Sequence, residues 1–209
     1  MIKGTKNAFT LAEVLITLGI IGVVAAMTMP TLLNSTQGAQ YRTAYKKVLS
    51  VLSQAVVLNV ALDDYDLSQA TVSQNTDGTS ASLYNLFNNR MNVARVCGGG
   101  AATCGANDSW QVGDAKFGNK QTNNYTFFFN DGTTLSFPKT AANCTEAAKC
   151  QGILDVNGAK NPNKLVTCTS GSGTTCKVDN PTDIYPIVMY DQTIVPKTTA
   201  GNTVLFGGK

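Results

Sequence analysis

The chain has 209 residues and carries 16 Lys and Arg against 13 Asp and Glu, so its formal net charge at pH 7 is only +3. Such a small, balanced charge predicts no nucleic-acid partner. The absence of histidine excludes the Ser-His and Cys-His arrangements of hydrolases and the commonest metal ligand. The length allows one modest domain and one further element.

A short polar segment with Lys3 and Lys6 opens the chain, and an apolar run follows from Phe9 to Met29. As a helix this run would be about 31 Å long, enough to cross the hydrocarbon core of a bilayer. The lysines before the run predict a membrane anchor with a cytoplasmic N-terminus.

One carboxylate, Glu13, lies inside the apolar run. A carboxylate within a membrane costs roughly 3 kcal/mol on insertion scales, so it needs a partner. No basic residue lies one helical turn away within the run, and we therefore expect the partner to come from outside this helix. Hydropathy leaves three interpretations open: a secretory signal cleaved near Ala26, an uncleaved anchor in which Glu13 reaches the membrane surface, and a leader cleaved before the apolar run.

The stretch AFTLAEVLI, residues 8–16, closely resembles the class III leader of type IV pilins and type II secretion pseudopilins. The resemblance implies that a prepilin peptidase removes residues 1–8 by cutting between Ala8 and Phe9, and that Phe9 is then N-methylated. Ala8 replaces the glycine that is usual in the family. Glu13 matches the family's glutamate, and the resemblance implies that it pairs in a fibre with the Phe9 amine of a neighbouring subunit.

The resemblance also implies a function: a structural, non-enzymatic subunit of a type IV pilus or of a type II secretion pseudopilus. Its partners would be copies of itself, other pilins, the prepilin peptidase, and an inner-membrane assembly platform with its ATPase. Before assembly the subunit would lie in the inner membrane, and its globular domain would be periplasmic or, in the fibre, at the cell surface. Two alternatives stay open: a minor pilin or tip adhesin with a ligand-binding domain, and a membrane-anchored periplasmic enzyme using Asp155, Asp179 and Asp183.

Apolar residues recur at helical spacing beyond the membrane segment, which predicts one helix from about Phe9 to about Leu62. Its first part is apolar nearly all round, and its second part is amphipathic. We therefore divide the remaining chain into a transmembrane and fibre-core segment at 9–33, an amphipathic segment at 34–62 and a globular domain at 63–209.

Two residues in the first part of this helix are poor helix formers. Pro30 lacks an amide hydrogen, and Gly22 costs backbone entropy. In pilins a Gly and a Pro at such positions often flank a stretch that loses helicity in the filament. The segment from Gly22 to Pro30 is therefore predicted to be either such a stretch or a simple kink.

The rest of the chain carries mostly strand patterns. Two runs rich in β-formers flank an Asn-Asp-Gly turn and predict a β-hairpin over residues 125–137. Further strands are predicted at 153–156, 184–190 and 193–195, and Pro186 suggests an edge position or a bulge. A helix is predicted from Ser82 to Val96. A long N-terminal helix packed on a small antiparallel sheet gives the fold class α+β, which is the pilin architecture.

All six cysteines lie in the polar part of the chain, which predicts disulfides formed in an oxidising compartment. Many pairings are possible, and we expect nearest neighbours to pair because each such pair brackets a short loop. A zinc site is the alternative, but no pair has C-x-x-C spacing and no histidine is present. The expected pairs are Cys97–Cys104, Cys144–Cys150 and Cys168–Cys176.

Oxygen-bearing side chains cluster around a glycine turn after the predicted strand at 153–156. Asp155, Asn157 and Asp183 offer hard ligands that suit calcium, the one cofactor that the sequence suggests. Major pseudopilins are similar in having a C-terminal calcium loop. The spacing and closing glutamate of an EF-hand are absent, however, and an Asx turn accounts for the same residues. We favour the turn.

Overall fold

The computed structural model describes residues 10–72, 78–98, 110–112, 115–117, 123–158 and 160–207. Its contacts divide the chain into two units, Met1–Gln37 and Gly38–Lys209. The first described element is helix α1, Leu11–Asp63, whose residues from Gly38 onward belong to the second unit.

Helix α1 agrees closely with the helix predicted from Phe9 to Leu62. The stretch between Gly22 and Pro30 is α-helical in the subunit. A loss of helicity there in a filament therefore stays a prediction about the assembled state.

Two antiparallel sheets follow α1. The larger has six strands in the order β1-β4-β5-β6-β7-β8, and the smaller is the hairpin β2-β3. The strands are β1 Val93–Gly98, β2 Trp110–Val112, β3 Ala115–Phe117, β4 Asn124–Phe129, β5 Thr134–Pro138, β6 Cys150–Asp155, β7 Ile184–Tyr190 and β8 Thr193–Pro196. The shorter helices are α2 Leu83–Arg90 and α3 Thr199–Phe206, with 3-10 turns at Leu67–Gln69 and Gly173–Thr175. The α+β class and the hairpin, now β4 and β5, are confirmed.

The core of the second unit lies between α1 and one face of the larger sheet. On α1 the buried apolar side chains recur every three or four residues, so they form one stripe; they are Tyr45, Val48, Leu49, Leu52, Ala55 and Val56. Alternate residues of the strands face them, because side chains of a strand alternate between faces. Tyr45 and Tyr185 show the contact directly, with their rings stacked at a centroid distance of 3.7 Å.

The helix predicted from Ser82 to Val96 is wrong beyond α2. Met91 already has an extended backbone, with φ −112° and ψ 151°. Val93 then begins β1, which pairs with β4. The free edge of β4 offers β1 ladder hydrogen bonds, and this tertiary pairing overrides the local helical pattern.

The edge position or bulge expected for Pro186 is also wrong. Strand β7 pairs with β6 on one side and β8 on the other, and its register with β6 is regular at Pro186. The Pro186 carbonyl accepts a hydrogen bond from the Lys197 amide at 2.9 Å. The proline nitrogen therefore faces the same side, where strand β8 has already ended at Pro196. The missing N–H costs little at the end of a ladder.

Two disulfides fasten the loops on either side of β6. Cys144–Cys150 and Cys168–Cys176 are bonded, with Cα–Cα distances of 5.1 and 5.4 Å. These are two of the expected pairs. Cys97 is also disulfide-bonded, and Cys104 of the third expected pair lies outside the described residues.

Removing the first of these bridges is expected to destabilise the second unit. A double change of Cys144→Ser and Cys150→Ser should lower the free energy of unfolding by about 2 kcal/mol, because the crosslink closes a short loop and restricts the unfolded chain. Guanidinium unfolding of the two proteins, followed by near-UV circular dichroism, measures the difference. An unchanged midpoint in the double variant would contradict this.

Candidate functional site

The first candidate site is the start of α1, where the described residues begin at Thr10. Glu13 Oε2 accepts hydrogen bonds from the backbone amide and the hydroxyl of Thr10, both at 2.8 Å. The Glu13 amide in turn donates to Thr10 Oγ1 at 3.2 Å. This reciprocal pair is a capping box, which satisfies two amides at the helix start. Ala8 and Phe9, the expected cleavage site, lie outside the described residues.

The capping box changes one expectation about Glu13. The apolar run predicts a basic partner from outside the helix, whereas Thr10 of the same helix start already bonds the carboxylate. A signal for this was present, since a Thr followed three residues later by a Glu, before an apolar run, is the capping-box pattern. Hydrogen bonds from Thr10 leave the negative charge in place, so a cationic partner for Glu13 stays a prediction.

The apolar side chains after Glu13 are exposed in the subunit. From Leu11 to Met29 the large ones are between 46% and 79% exposed. This stretch is long and apolar enough to cross a membrane and lies near the N-terminus. A second stretch, Thr36–Asp63, is also long and apolar enough to cross a membrane, but its apolar stripe forms the core of the second unit. The N-terminal part of α1 therefore fits a membrane anchor.

The second candidate site is a pair of buried carboxylates between β6 and β7. Asp155 ends β6, Asp183 precedes β7, and both side chains are fully buried. Asp155 Oδ1 accepts from the Asn157 amide at 3.0 Å, which is the expected Asx turn. The two oxygens of Asp183 accept from the amides of Asn163 and Lys164, each at 2.7 Å.

The turn after Asp155 requires a glycine. Gly158 has φ +70°, and a Cβ added there would lie 2.6 Å from the carbonyl oxygen of Gly132. Asn157 in this turn donates to the Asn161 carbonyl at 3.1 Å and to the Tyr41 hydroxyl of α1 at 3.4 Å. These bonds hold the turn close to both the following loop and α1.

Three oxygens around the pair accept no hydrogen bond from the residues that the structure describes: Asp155 Oδ2, Asn157 Oδ1 and Asn163 Oδ1. Burial, together with the negative charge of Asp183, raises the pKa of Asp155 to about 8. Burial and a neighbouring negative charge both disfavour the ionised carboxylate, and a bound cation would favour it.

These oxygens match the chemistry of a hard cation. Carboxylate and amide oxygens are the ligands that Ca²⁺ takes, and buried acceptors without donors are costly unless something else satisfies them. Within the described parts of the chain, no group of three His, Cys, Asp or Glu side chains comes together. A cation here would therefore depend on two carboxylates and on amide oxygens. The expected Asp155, Asn157 and Asp183 do belong to one cluster, and Asn163 joins it.

Comparison with known proteins identifies the N-terminal segment. Residues 4–29 match the family model described as the prokaryotic N-terminal methylation motif. No curated protein and no solved structure matches the chain. The motif is that of a structural family whose members assemble with other pilins after cleavage by a prepilin peptidase. The chain thus carries the N-terminal signature of the type IV pilins and pseudopilins, and its described residues have the α+β, pilin-like fold.

Proposed function

We propose that this protein is a structural subunit of a helical fibre, a type IV pilus or a type II secretion pseudopilus, assembled from the inner membrane. The observation that supports the proposal is the N-terminal part of α1, in which the methylation motif leads into exposed apolar side chains and one carboxylate. Such a surface is stable in a bilayer or among its own copies, and unstable in water.

The chemistry of assembly follows from these residues. Side chains between Leu11 and Met29 leave lipid and pack against the same segment of neighbouring subunits, gaining close-packed contacts. Cleavage between Ala8 and Phe9 creates an α-amino group, which stays cationic after methylation. Glu13 of one subunit then pairs with Phe9 of the next, so that two costly charges are neutralised together at one axial stagger.

Intact-mass measurement of the protein purified from its native cells tests the processing. We expect the mass to show that residues 1–8 have been removed and that one methyl group has been added. The same protein should be enriched in the fraction of fibres sheared or extracted from the cells. An uncut N-terminus, or a cut beyond Phe9, would overturn the proposal.

The buried carboxylates support a second part of the proposal, a Ca²⁺ site formed by Asp155, Asn157, Asn163 and Asp183. Ca²⁺ would supply the positive charge that Asp155 and Asp183 lack, and it would fix the loop between β6 and β7 against α1 through the Asn157–Tyr41 contact. Its role would be structural, because it stabilises the folded domain by binding that state alone.

Ca²⁺ is expected to raise the thermal stability of the protein. At about 100 times its dissociation constant it should add about 2.7 kcal/mol, which raises Tm by roughly 5–10 °C for a domain of this size. Melting curves in CaCl₂ and in EGTA measure the difference. Asp155→Asn should abolish the response, whereas Asp179→Asn, at an exposed carboxylate nearby, should keep it. Equal Tm values in CaCl₂ and EGTA would exclude the site.

A further inference from the structure

A groove of about 580 Å³ lies between α1, the segment after the Cys168–Cys176 disulfide, and α3. We call it the Arg42 groove. Its lining includes Arg42 of α1, Lys177 and Asp179 of that segment, and Thr203 of α3. A second cavity of about 670 Å³, shallow and open to solvent, adjoins it, since Cys176, Thr203 and Gly207 line both. All of these residues belong to the second unit.

Arg42 is a half-buried cation whose hydrogen-bonding capacity is largely unused. Its Nη2 donates to the Val178 carbonyl at 3.4 Å, which is a long bond. Its Nε is buried and finds no acceptor among the residues that the structure describes. The ion pairs seen in those same residues are Lys47–Asp131 and Arg90–Asp63, so Arg42 has no carboxylate partner there. A guanidinium in this position favours an acceptor with two oxygens.

The charges at the groove favour an anion. Arg42 and Lys177 contribute two positive charges, and Asp179 contributes one negative charge, which leaves an excess of one positive charge. Lys177 is exposed at the groove and can turn toward a bound group, since its ammonium carries three donors on a flexible stem.

The adjoining cavity offers groups that suit a ligand with hydroxyls. Asn202 lines it with an amide that can donate and accept, and Thr203 lines it with a hydroxyl whose oxygen can accept. The Thr203 hydroxyl hydrogen goes to the Cys176 carbonyl at 3.4 Å. Phe206 lines it too, and its side chain is 74% exposed. An exposed ring beside polar groups provides a flat apolar surface, and binding sites commonly combine such a surface with a few orienting polar groups.

We propose that the Arg42 groove binds the carboxylate of an acidic sugar, whose ring and hydroxyls occupy the adjoining cavity against Phe206 and Asn202. The guanidinium of Arg42 receives the carboxylate, and Lys177 adds a second cation. This inference concerns the second unit and does not depend on fibre assembly.

The test follows the Arg42 Nε–H signal directly. The full chain, in detergent micelles and labelled with ¹⁵N-arginine, is titrated with D-glucuronate, with D-glucose and with inorganic phosphate. We expect glucuronate to shift the Arg42 signal and saturate, while glucose and phosphate bind at least about tenfold more weakly, because each lacks one of the two recognised features. The Arg95 signal, from an exposed arginine beside Phe128, should stay in place.

Variants separate the site from general effects of charge. Arg42→Gln should weaken glucuronate binding at least about tenfold, whereas Arg95→Gln removes the same charge and should leave it unchanged. If Arg42→Gln fails to fold by circular dichroism, Lys177→Gln, at an exposed position, should still weaken binding measurably. An Arg42 signal that does not move with glucuronate overturns the proposal. Equal responses to phosphate or to glucose overturn it as well, since they show a simple anion site or a neutral-sugar site.

Discussion

Glu13→Ala is expected to abolish fibre assembly while leaving membrane insertion intact. In the proposed fibre, removing the carboxylate would leave the Phe9 amine of the neighbouring subunit without its counter-charge in an apolar core, and breaking a buried pair in this way costs about 3–5 kcal/mol. That loss lowers the association constant at each step by more than about a hundredfold. Insertion should persist, because the alanine makes the segment more apolar. The yield of sheared fibres and the amount of membrane-bound subunit measure the two effects.

Two matched variants sharpen this experiment. Glu146→Ala removes the same charge from an exposed position on the second unit and should assemble normally. Glu13→Gln keeps the capping box with Thr10, since glutamine also serves in that motif, but it loses the charge. Fibres from Glu13→Gln at the normal yield would show that the cap matters and the charge pair does not, and would therefore contradict the proposed pairing.

Phe137→Ala is expected to cause a large loss of stability in the second unit. Phe137 is fully buried in β5, with ring centroids of Phe127 and Phe87 at 5.5 and 5.7 Å. Truncating such a side chain removes its burial and leaves a cavity, and typically costs about 3–5 kcal/mol. Tm should fall by roughly 6–20 °C.

The comparison residue for this change is Phe206, which is 74% exposed at the end of α3. Phe206→Ala should change the free energy of unfolding by no more than about 0.5 kcal/mol, because an exposed ring has few contacts to lose. Denaturant titration of both variants checks the contrast. Similar losses in the free energy of unfolding in the two variants would contradict a central role for Phe137 in the core.

The features that the sequence predicted well are those encoded by nearby residues. The long helix follows from apolar spacing, and the β4–β5 hairpin follows from two β-rich runs around Asn130-Asp131-Gly132. The methylation motif at 4–29 is also a local pattern. Each of these depends on residues close together in the chain, where periodicity and turn chemistry act directly.

The errors arose where distant parts of the chain decide the structure. Residues after Arg90 do not continue the helix, because they form β1 and pair with β4. The sequence around Arg90 does not reveal that a distant strand is available for pairing. Pro186 is tolerated in an inner strand because β8 ends opposite it. Among the described residues, the oxygens around Asp155 and the Arg42 donor that find no partner depend on packing between elements far apart in sequence. Residue types alone therefore suggest ligands but do not show which hydrogen bonds are missing.

The order of the larger sheet has a consequence for folding. Strands β4 to β8 pair each with its successor along the chain, so every one of these contacts closes a loop between consecutive strands and loses little chain entropy. The contact between Tyr45 and Tyr185 instead joins residues separated by most of the sequence of the second unit. We therefore expect strands β4 to β8 to form first. Their apolar face then stays exposed to solvent until α1 packs on it. Anchoring of the N-terminal part of α1 in a bilayer would shorten the time for which this apolar face is exposed, and would therefore reduce aggregation with other chains.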